Sequence, residues 1–408
     1  MATAMSYTVS LSHLTLALSD ALDLVGVDVI QHGKRVALFA VECGRELGWS
    51  EAELRTLCFA ALLHDCGVSS TEVHRRLIGE FNWEDSSDHC ERGFELLRGV
   101  ALFEPMAAMI RRHHTPWTRL RASDVSGDAA MRSNSLFLAD RVDAAIHQRG
   151  GGDGLLTRSS VAHAIDRRAP GNFAPELVAA LHAVASRPVT WLMLEPHHVE
   201  RYLVDAMAPF DEVAVNFDEL RTIAEVFAGI VDFKSRFTER HSRGVARLAR
   251  LLAELHGLPE GDLGLIEVAG LLHDLGKLRV PDSILDKPGP LTRSEGAAMA
   301  RHPFETYQIL TRLDTIPDLA PWAAFHHEAP NGRGYPFRLT ADRLPVQARI
   351  VAVADVVQSL IQDRPYRRSL SPRTVRRLLR HMARAGKLDP AIVELVAANE
   401  DACVHAAA

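Results

Sequence analysis

Along HSRGVARLARLLAELHG, Val245, Leu248, Leu252 and Leu255 recur at three- and four-residue intervals while the arginines largely fall on the other side, which predicts an amphipathic helix. EVAGLLHDLG reads as a second helix, whose apolar run is buried before it delivers His273 and Asp274 at its end, with Gly276 placed to stop the regular turn. PVQARIVAVADVVQSLI is a nearly all-apolar helix interrupted by Asp355, a carboxylate too costly to bury without a metal or cationic partner. In SPRTVRRLLRHMARAG, Ser371 is the candidate N-cap and Pro372 the first helical residue. Helical periodicity dominates, so the expected fold class is all-α, with two helical domains and no α/β sheet.

The two domains are expected from an internal repeat. His32, His64-Asp65, His89, His113-His114 and Asp140 recur in the same order as His241, His273-Asp274, His302, His326-His327 and Asp355. The first histidine and the HD pair are 32 residues apart in both halves, and the single histidine and the HH pair are 24 apart in both. ALLHDCG matches GLLHDLG, and GNFAPELV from Gly171 matches GKLDPAIV from Gly386, so the likeness extends beyond the candidate ligands. The boundary is expected between Ala208 and Phe217, giving domains 1–208 and 209–408, with MAPFDEVAVNFDEL as connector or, from Asp211 to Glu219, as the start of a helix.

Composition narrows the function classes. The chain has 408 residues, 47% hydrophobic and 24% charged, enough for two apolar cores. A formal charge of -6 argues against a dominant nucleic-acid surface, and no DNA partner is expected; Arg373, Arg376, Arg377, Arg380 and Arg384 then read as a solvated helix face. Five cysteines without a CxxC pair do not make a disulfide framework and fit a reducing cytoplasm. No stretch reaches the roughly 20 apolar residues that span a bilayer and no secretion signal opens the chain, so no membrane insertion is expected.

Imidazoles and carboxylates are first-row metal ligands, and an HD pair at a helix end can serve two ions, since the Asp274 carboxylate has two oxygens to share. Lys277, which closes HDLGK, can set a point charge over a phosphate. In HHEAPNGRGYP, Gly332 and Gly334 permit a tight turn and Pro336 stiffens its exit; Arg333 is a candidate phosphate contact, and Tyr335 a candidate to pack on a base or on the scaffold.

At GLLHDLGKLRVPDSILDKPGPLT, HP, HHEAPNGRGYP and ARIVAVADVVQSLIQDRPYRRSL, the second half resembles the HD-GYP subgroup of the HD metal-dependent phosphohydrolases, over most of Phe217 to Glu400. The resemblance implies a helical enzyme that linearises cyclic dinucleotides with two iron or manganese ions. Cyclic di-GMP is the leading substrate, giving linear pGpG and then GMP; 3',3'-cyclic GMP-AMP is the nearest alternative, and an inactive cyclic-dinucleotide-binding module is another. It implies His241, His273, Asp274 and Asp355 around one ion and Asp274, His302, His326 and His327 around the other, with Asp274 and Lys277 as the catalytic pair. Phe237 stands where members with a third ion carry an acid, Asn331 replaces the usual Asp before GxGYP, and Gln358 replaces a frequent acid. The first half resembles a degenerate HD partner with Val68 in place of Lys277 and HHTPWTRL in place of the glycine turn. A metal-bearing regulatory domain, a metal-free scaffold and a second catalytic site all remain open for it, as do a homodimer and a signalling-protein partner.

Overall fold

The computed structural model describes residues 6–25, 31–80, 86–150, 154–207, 212–234, 239–362 and 369–408. Phe237 and Asp211 lie outside the described residues. The chain divides into two compact units, Ser10–Glu212 and Val213–Ala408, with the N-terminal strand counted in the second. Both are helical. The only sheet among the described residues pairs β1 (Ser6–Ser10) with β2 (Glu212–Asn216), so the connector is a strand and the helix begins only at Phe217. Alternation explains this: Val215 turns inward between exposed Ala214 and Asn216, in a segment too sparse in apolar surface for a helical stripe.

In the second unit the helix Glu239–His256 packs mainly against Glu260–Leu272 and Val346–Ile361. Val245, Leu248 and Leu252 are fully buried, whereas Leu255, in the last turn, is 36% exposed. Ser371 and Pro372 start the helix Pro372–Arg384 as expected, although the Ser371 side chain makes no capping bond. The arginines of that helix are partly paired: Arg380 binds both carboxylate oxygens of Glu394 through Nε and Nη2, and Arg376 lies 3.7 Å from Glu400. No helix among the described residues is long and apolar enough to cross a membrane.

The first unit repeats the frame with His32–Glu46, Glu51–Leu63, Ser87–Leu97, Glu104–Arg112 and the long helix Gly127–His147. A Ser50–Glu53 capping box starts the helix that ends at the first HD pair.

The HD glycine has a different role from the one expected. The helix before the second HD pair already ends at Leu272, and Gly276 lies inside a short 3-10 turn, Leu275–Arg279. A Cβ on Gly276 would stand 2.1 Å from the His302 carbonyl oxygen, and one on Gly67 would stand 2.0 Å from that of His89. The glycine is therefore required by a close backbone approach that brings the third histidine to the HD pair, not by a helix stop. Gly276→Ala and Gly67→Ala should each cost about 2 kcal/mol or more, because a backbone carbonyl cannot turn aside as a side chain can. Urea titration of the three variants checks this: Gly296→Ala, in a helix and with nothing within 4 Å, should be neutral or slightly stabilising.

Candidate functional site

Three histidines of the second unit follow helix ends, where carbonyls of the last turn lack helical partners. Nδ1 of His273 donates to Gly270 O, Nδ1 of His302 to Met299 O and Nδ1 of His326 to Ala323 O, each at 2.8 Å. A carbonyl only accepts, so Nδ1 carries the proton and Nε2 of each neutral ring is left as an acceptor. Yet Nε2 of His302 and Nε2 of His326 face each other at 3.2 Å. Two lone pairs aimed at each other in a buried site repel unless a cation lies between them. A spacing near 3.2 Å is what two imidazoles on one ion at about 2.0–2.1 Å would show. The residues thus fit divalent metal.

The seven expected ligands come together in two groups that share Asp274. His241, His273 and Asp355 form one, with Nε2 of His241 3.1 Å from Asp355 Oδ1; His302, His326 and His327 form the other. Asp274 turns Oδ2 to His273 at 3.2 Å and Oδ1 to His302 at 3.4 Å and His326 at 4.0 Å, the division a bridging carboxylate needs. Burial would raise the Asp274 carboxyl, but His273, Lys277 and His302 hold it well below the usual range, and His241 does the same for Asp355. Burial pushes His302 down to about 3, so that ring is neutral and available as a ligand at neutral pH. Lys277 Nζ lies 2.5 Å from Asp274 Oδ2, which places its charge at the edge of the cluster.

Tyr335 stacks on His327 with centroids 5.0 Å apart and 22° between planes, and remains 37% exposed, so it packs on the scaffold and still presents a face outward. Arg333 is exposed; its backbone N–H donates to Asn331 Oδ1, and its side chain is not drawn into the cluster.

Glu328 was overlooked as a functional residue although it sits inside the motif. It is buried, and its carboxylate accepts the backbone N–H groups of Phe337 (2.6 Å), Arg338 (3.2 Å) and Leu339 (2.9 Å), clamping the exit of the glycine turn to the residue after His327. Thr306 was missed too: its hydroxyl donates to His273 O and accepts from Gly276 N, tying the HD turn to the His302 helix.

In the first unit His32, His64, Asp65, His89, His113, His114 and Asp140 also converge. His64 and His113 use the same lock, donating from Nδ1 to Ala61 O and Ile110 O, and facing pairs recur at 3.3 Å (His32 and His64) and 3.2 Å (His89 and His113). Clusters able to hold metal therefore exist in both units. The surroundings differ. Arg141 binds Asp140 through two nitrogens, buried Val68 stands in place of a lysine, and His74, from the helix Thr71–Gly79, brings a further imidazole to 6.1 Å from His32. Burial would lower His32, but bonds to Asp140 and Asp143 push it up to about 10.

The sequence matches the HD domain over residues 225–392 and again over residues 29–145. A "3'3'-cGAMP-specific phosphodiesterase 1" of Vibrio cholerae is 35% identical over 398 residues, covering 96% of this chain and 92% of its own. A "cyclic di-GMP phosphodiesterase" of Thermotoga maritima is 35% identical over 181 residues, 43% of this chain and 48% of its own. A crystal structure of a cyclic GMP-AMP-specific phosphodiesterase of V. cholerae superposes with a TM-score of 0.68 at 24% identity over 97% of this chain and 98% of that one, which is a likeness of fold.

Glu328→Ala should release the loop: amides of Phe337, Arg338 and Leu339 should exchange with solvent at least about tenfold faster, with about 3 kcal/mol lost in stability, since bonds to a charged acceptor are worth roughly 1.5–3 kcal/mol each. Hydrogen exchange read by mass spectrometry checks this; unchanged protection at those three amides would rule out the clamp.

Proposed function

We propose, given that the chain belongs to the HD-domain family and carries an HD-GYP-type second domain, that it is a metal-dependent cyclic-dinucleotide phosphodiesterase whose preferred substrate is 3',3'-cyclic GMP-AMP. The observation that carries the activity is the shared Asp274, with one oxygen toward each histidine group. Divalent ions held by these residues would supply Lewis-acid stabilisation of phosphoryl charge and lower the pKa of water at neutral pH. Iron and manganese are the ions proposed, two per catalytic domain.

The chain's own residues do the rest. His241, His273, Asp274, His302, His326, His327 and Asp355 bind; the carbonyl locks on three of the rings hold their lone pairs inward before any ligand arrives. Lys277, 23% exposed in its side chain and bonded to Asp274, is assigned to a phosphate oxygen of the substrate, either stabilising its charge or protonating the leaving ribose oxygen. Tyr335 offers a flat face beside His327 for a base, and Glu328 holds the loop that presents it.

The motifs alone favour cyclic di-GMP. Cyclic GMP-AMP has the better support, because a relative matched across both domains carries that specificity in its name, whereas the Thermotoga cyclic di-GMP enzyme matches less than half of this chain. Purine choice is set by hydrogen bonds to base edges, which a linear motif does not arrange.

With iron or manganese restored under reducing conditions, kcat/KM for 3',3'-cyclic GMP-AMP should exceed that for cyclic di-GMP by about tenfold or more, a difference of about 1.4 kcal/mol. Asp274→Asn should lower bound metal and cut turnover by at least about a hundredfold. Tight binding without linear product on every cyclic dinucleotide would replace the enzyme with a binding module, and equal rates on both would remove the substrate preference.

A further inference from the structure

Among the described residues, the aromatic side chains that stand exposed are Phe304 (44%), Tyr335 (37%) and Phe337 (38%), and all three lie beside one group of candidate metal ligands. Phe304 is two residues past His302 in the first turn of the helix His302–Leu310. Tyr335 stacks on His327, whose ring centre is 5.0 Å from that of His302. Phe337 follows Tyr335 by two residues and meets Phe304 with ring centres 6.1 Å apart. We propose that Phe304 and Phe337 form a second stacking face beside the one on Tyr335, so that each face takes one purine of a cyclic dinucleotide. The identity of the ligand rests on the phosphodiesterase reading; the face rests on the rings.

The two phenylalanines are supported from behind and not closed on each other. They meet at 44°, and both stay exposed. Tyr307 and Phe325 stack at 5.7 Å and 16°, and Phe337 sets its ring edge against both, at 5.2 Å and 5.3 Å. An inner aromatic pair thus backs the outer one. The backbone is fixed as well, because the Glu328 carboxylate binds the N–H groups of Phe337 and of the two residues after it. A face ordered before the ligand arrives lowers the entropy that binding must spend.

Charge selects what the face fits. Arg301, Arg333 and Arg338 are exposed and lie within three residues of these rings in the chain, and none of their guanidinium groups makes an ion pair or hydrogen bond among the described residues. Arg338 adopts φ +57, a left-handed conformation that glycine takes freely and arginine only at a steric cost. Flat apolar faces interleaved with unpaired cations suit a ligand that is aromatic and anionic at once, as a nucleotide is, and base stacking on aromatic side chains accepts any purine. A protein partner is disfavoured: three rings, each more than half covered, fall far short of the roughly 800 Å² per side that a stable interface buries. In the first unit the residue two past His89 is Glu91, paired with Arg111, so an acid that would repel phosphate stands at the position of Phe304.

Manganese-loaded full-length protein is assayed on 3',3'-cyclic GMP-AMP. Loss of one stacked base should raise KM about tenfold or more in Phe304→Ala. Combined with Tyr335→Ala, the two losses should multiply, as those of independent contacts do. Phe304→Trp should keep KM within about threefold of the wild type, because an indole also stacks. It should also add a quench of tryptophan fluorescence on mixing with ligand, read by stopped flow within the first turnover and larger than any in the wild type. A KM for Phe304→Ala within about twofold of the wild type, or a Phe304→Trp signal no larger than that of the wild type, would overturn the face. If Phe304→Ala fails to fold, the Phe304→Trp quench decides. If the wild type makes no linear product, the phosphodiesterase reading fails, and calorimetric titration of the same variants with intact 3',3'-cyclic GMP-AMP gives the comparison as affinities.

Discussion

A helix that ends near a histidine has spare carbonyls, and this protein uses them to aim imidazoles. Gly270, Met299 and Ala323 in the second unit, and Ala61 and Ile110 in the first, each lie in the last turn of a helix and accept from the Nδ1–H of the histidine three residues on. One interaction thereby satisfies an orphan acceptor, fixes the tautomer and points Nε2 inward. The partial negative charge at those helix ends also favours a cation at their convergence. The rest of each fold serves this arrangement: the packed helices set where the ends fall, and the HD glycines allow the third histidine's backbone to approach the HD turn closely enough to share an ion.

Much of this was legible in the sequence because it is written in residue types and intervals. The repeat of His, HD, His, HH and Asp carries the two-domain helical organisation and collects the ligand set, and the isolated Asp355 on an apolar helix signals a buried partner, which includes His241. Less legible were residues whose importance depends on what lies across from them. Glu328 is one glutamate in a polar loop until three backbone N–H groups are seen to converge on it. Asp143 looks like a surface residue of a long helix, yet it is buried against His32 and Arg35. Gly276 suggested a helix stop because stops are the common use of glycine there; close backbone approach is a tertiary fact that periodicity does not carry.

The two units show that ligands alone do not make a catalytic centre. Both converge histidines and aspartates at similar spacings, but only the second adds an amine beside the bridging carboxylate and a glycine turn held by a buried glutamate. In the first, the lysine position is an apolar valine, a guanidinium occupies the last aspartate, and His74 extends toward His32. Those changes replace charge that would meet a phosphate with charge and bulk that complete an interior. The two units thus share a frame for metal and differ in the rims around it.

The two departures from the HD-GYP pattern bear on whether the second unit turns over. Asn331 donates from Nδ2 to Ala385 O and from its backbone to Gly386 O, while its Oδ1 accepts from Arg333 N, so its amide stitches the glycine turn to the loop before the helix Pro390–Ala398. An aspartate could accept from Arg333 but could not donate to Ala385, and Gly386 at φ +68 leaves room that a Cβ, 2.9 Å from that of Asn331, would fill. Gln358 is buried and donates to Ala407 O, and its amide closes on Gly244, where a Cβ would meet it at 2.4 Å. Both side chains thus make neutral hydrogen bonds to the scaffold around the site, and neither takes a ligand position. The substitutions change how the walls are fastened and leave the charge at the cluster to Asp274, Asp355 and Lys277, which weighs toward an enzyme over a binding module.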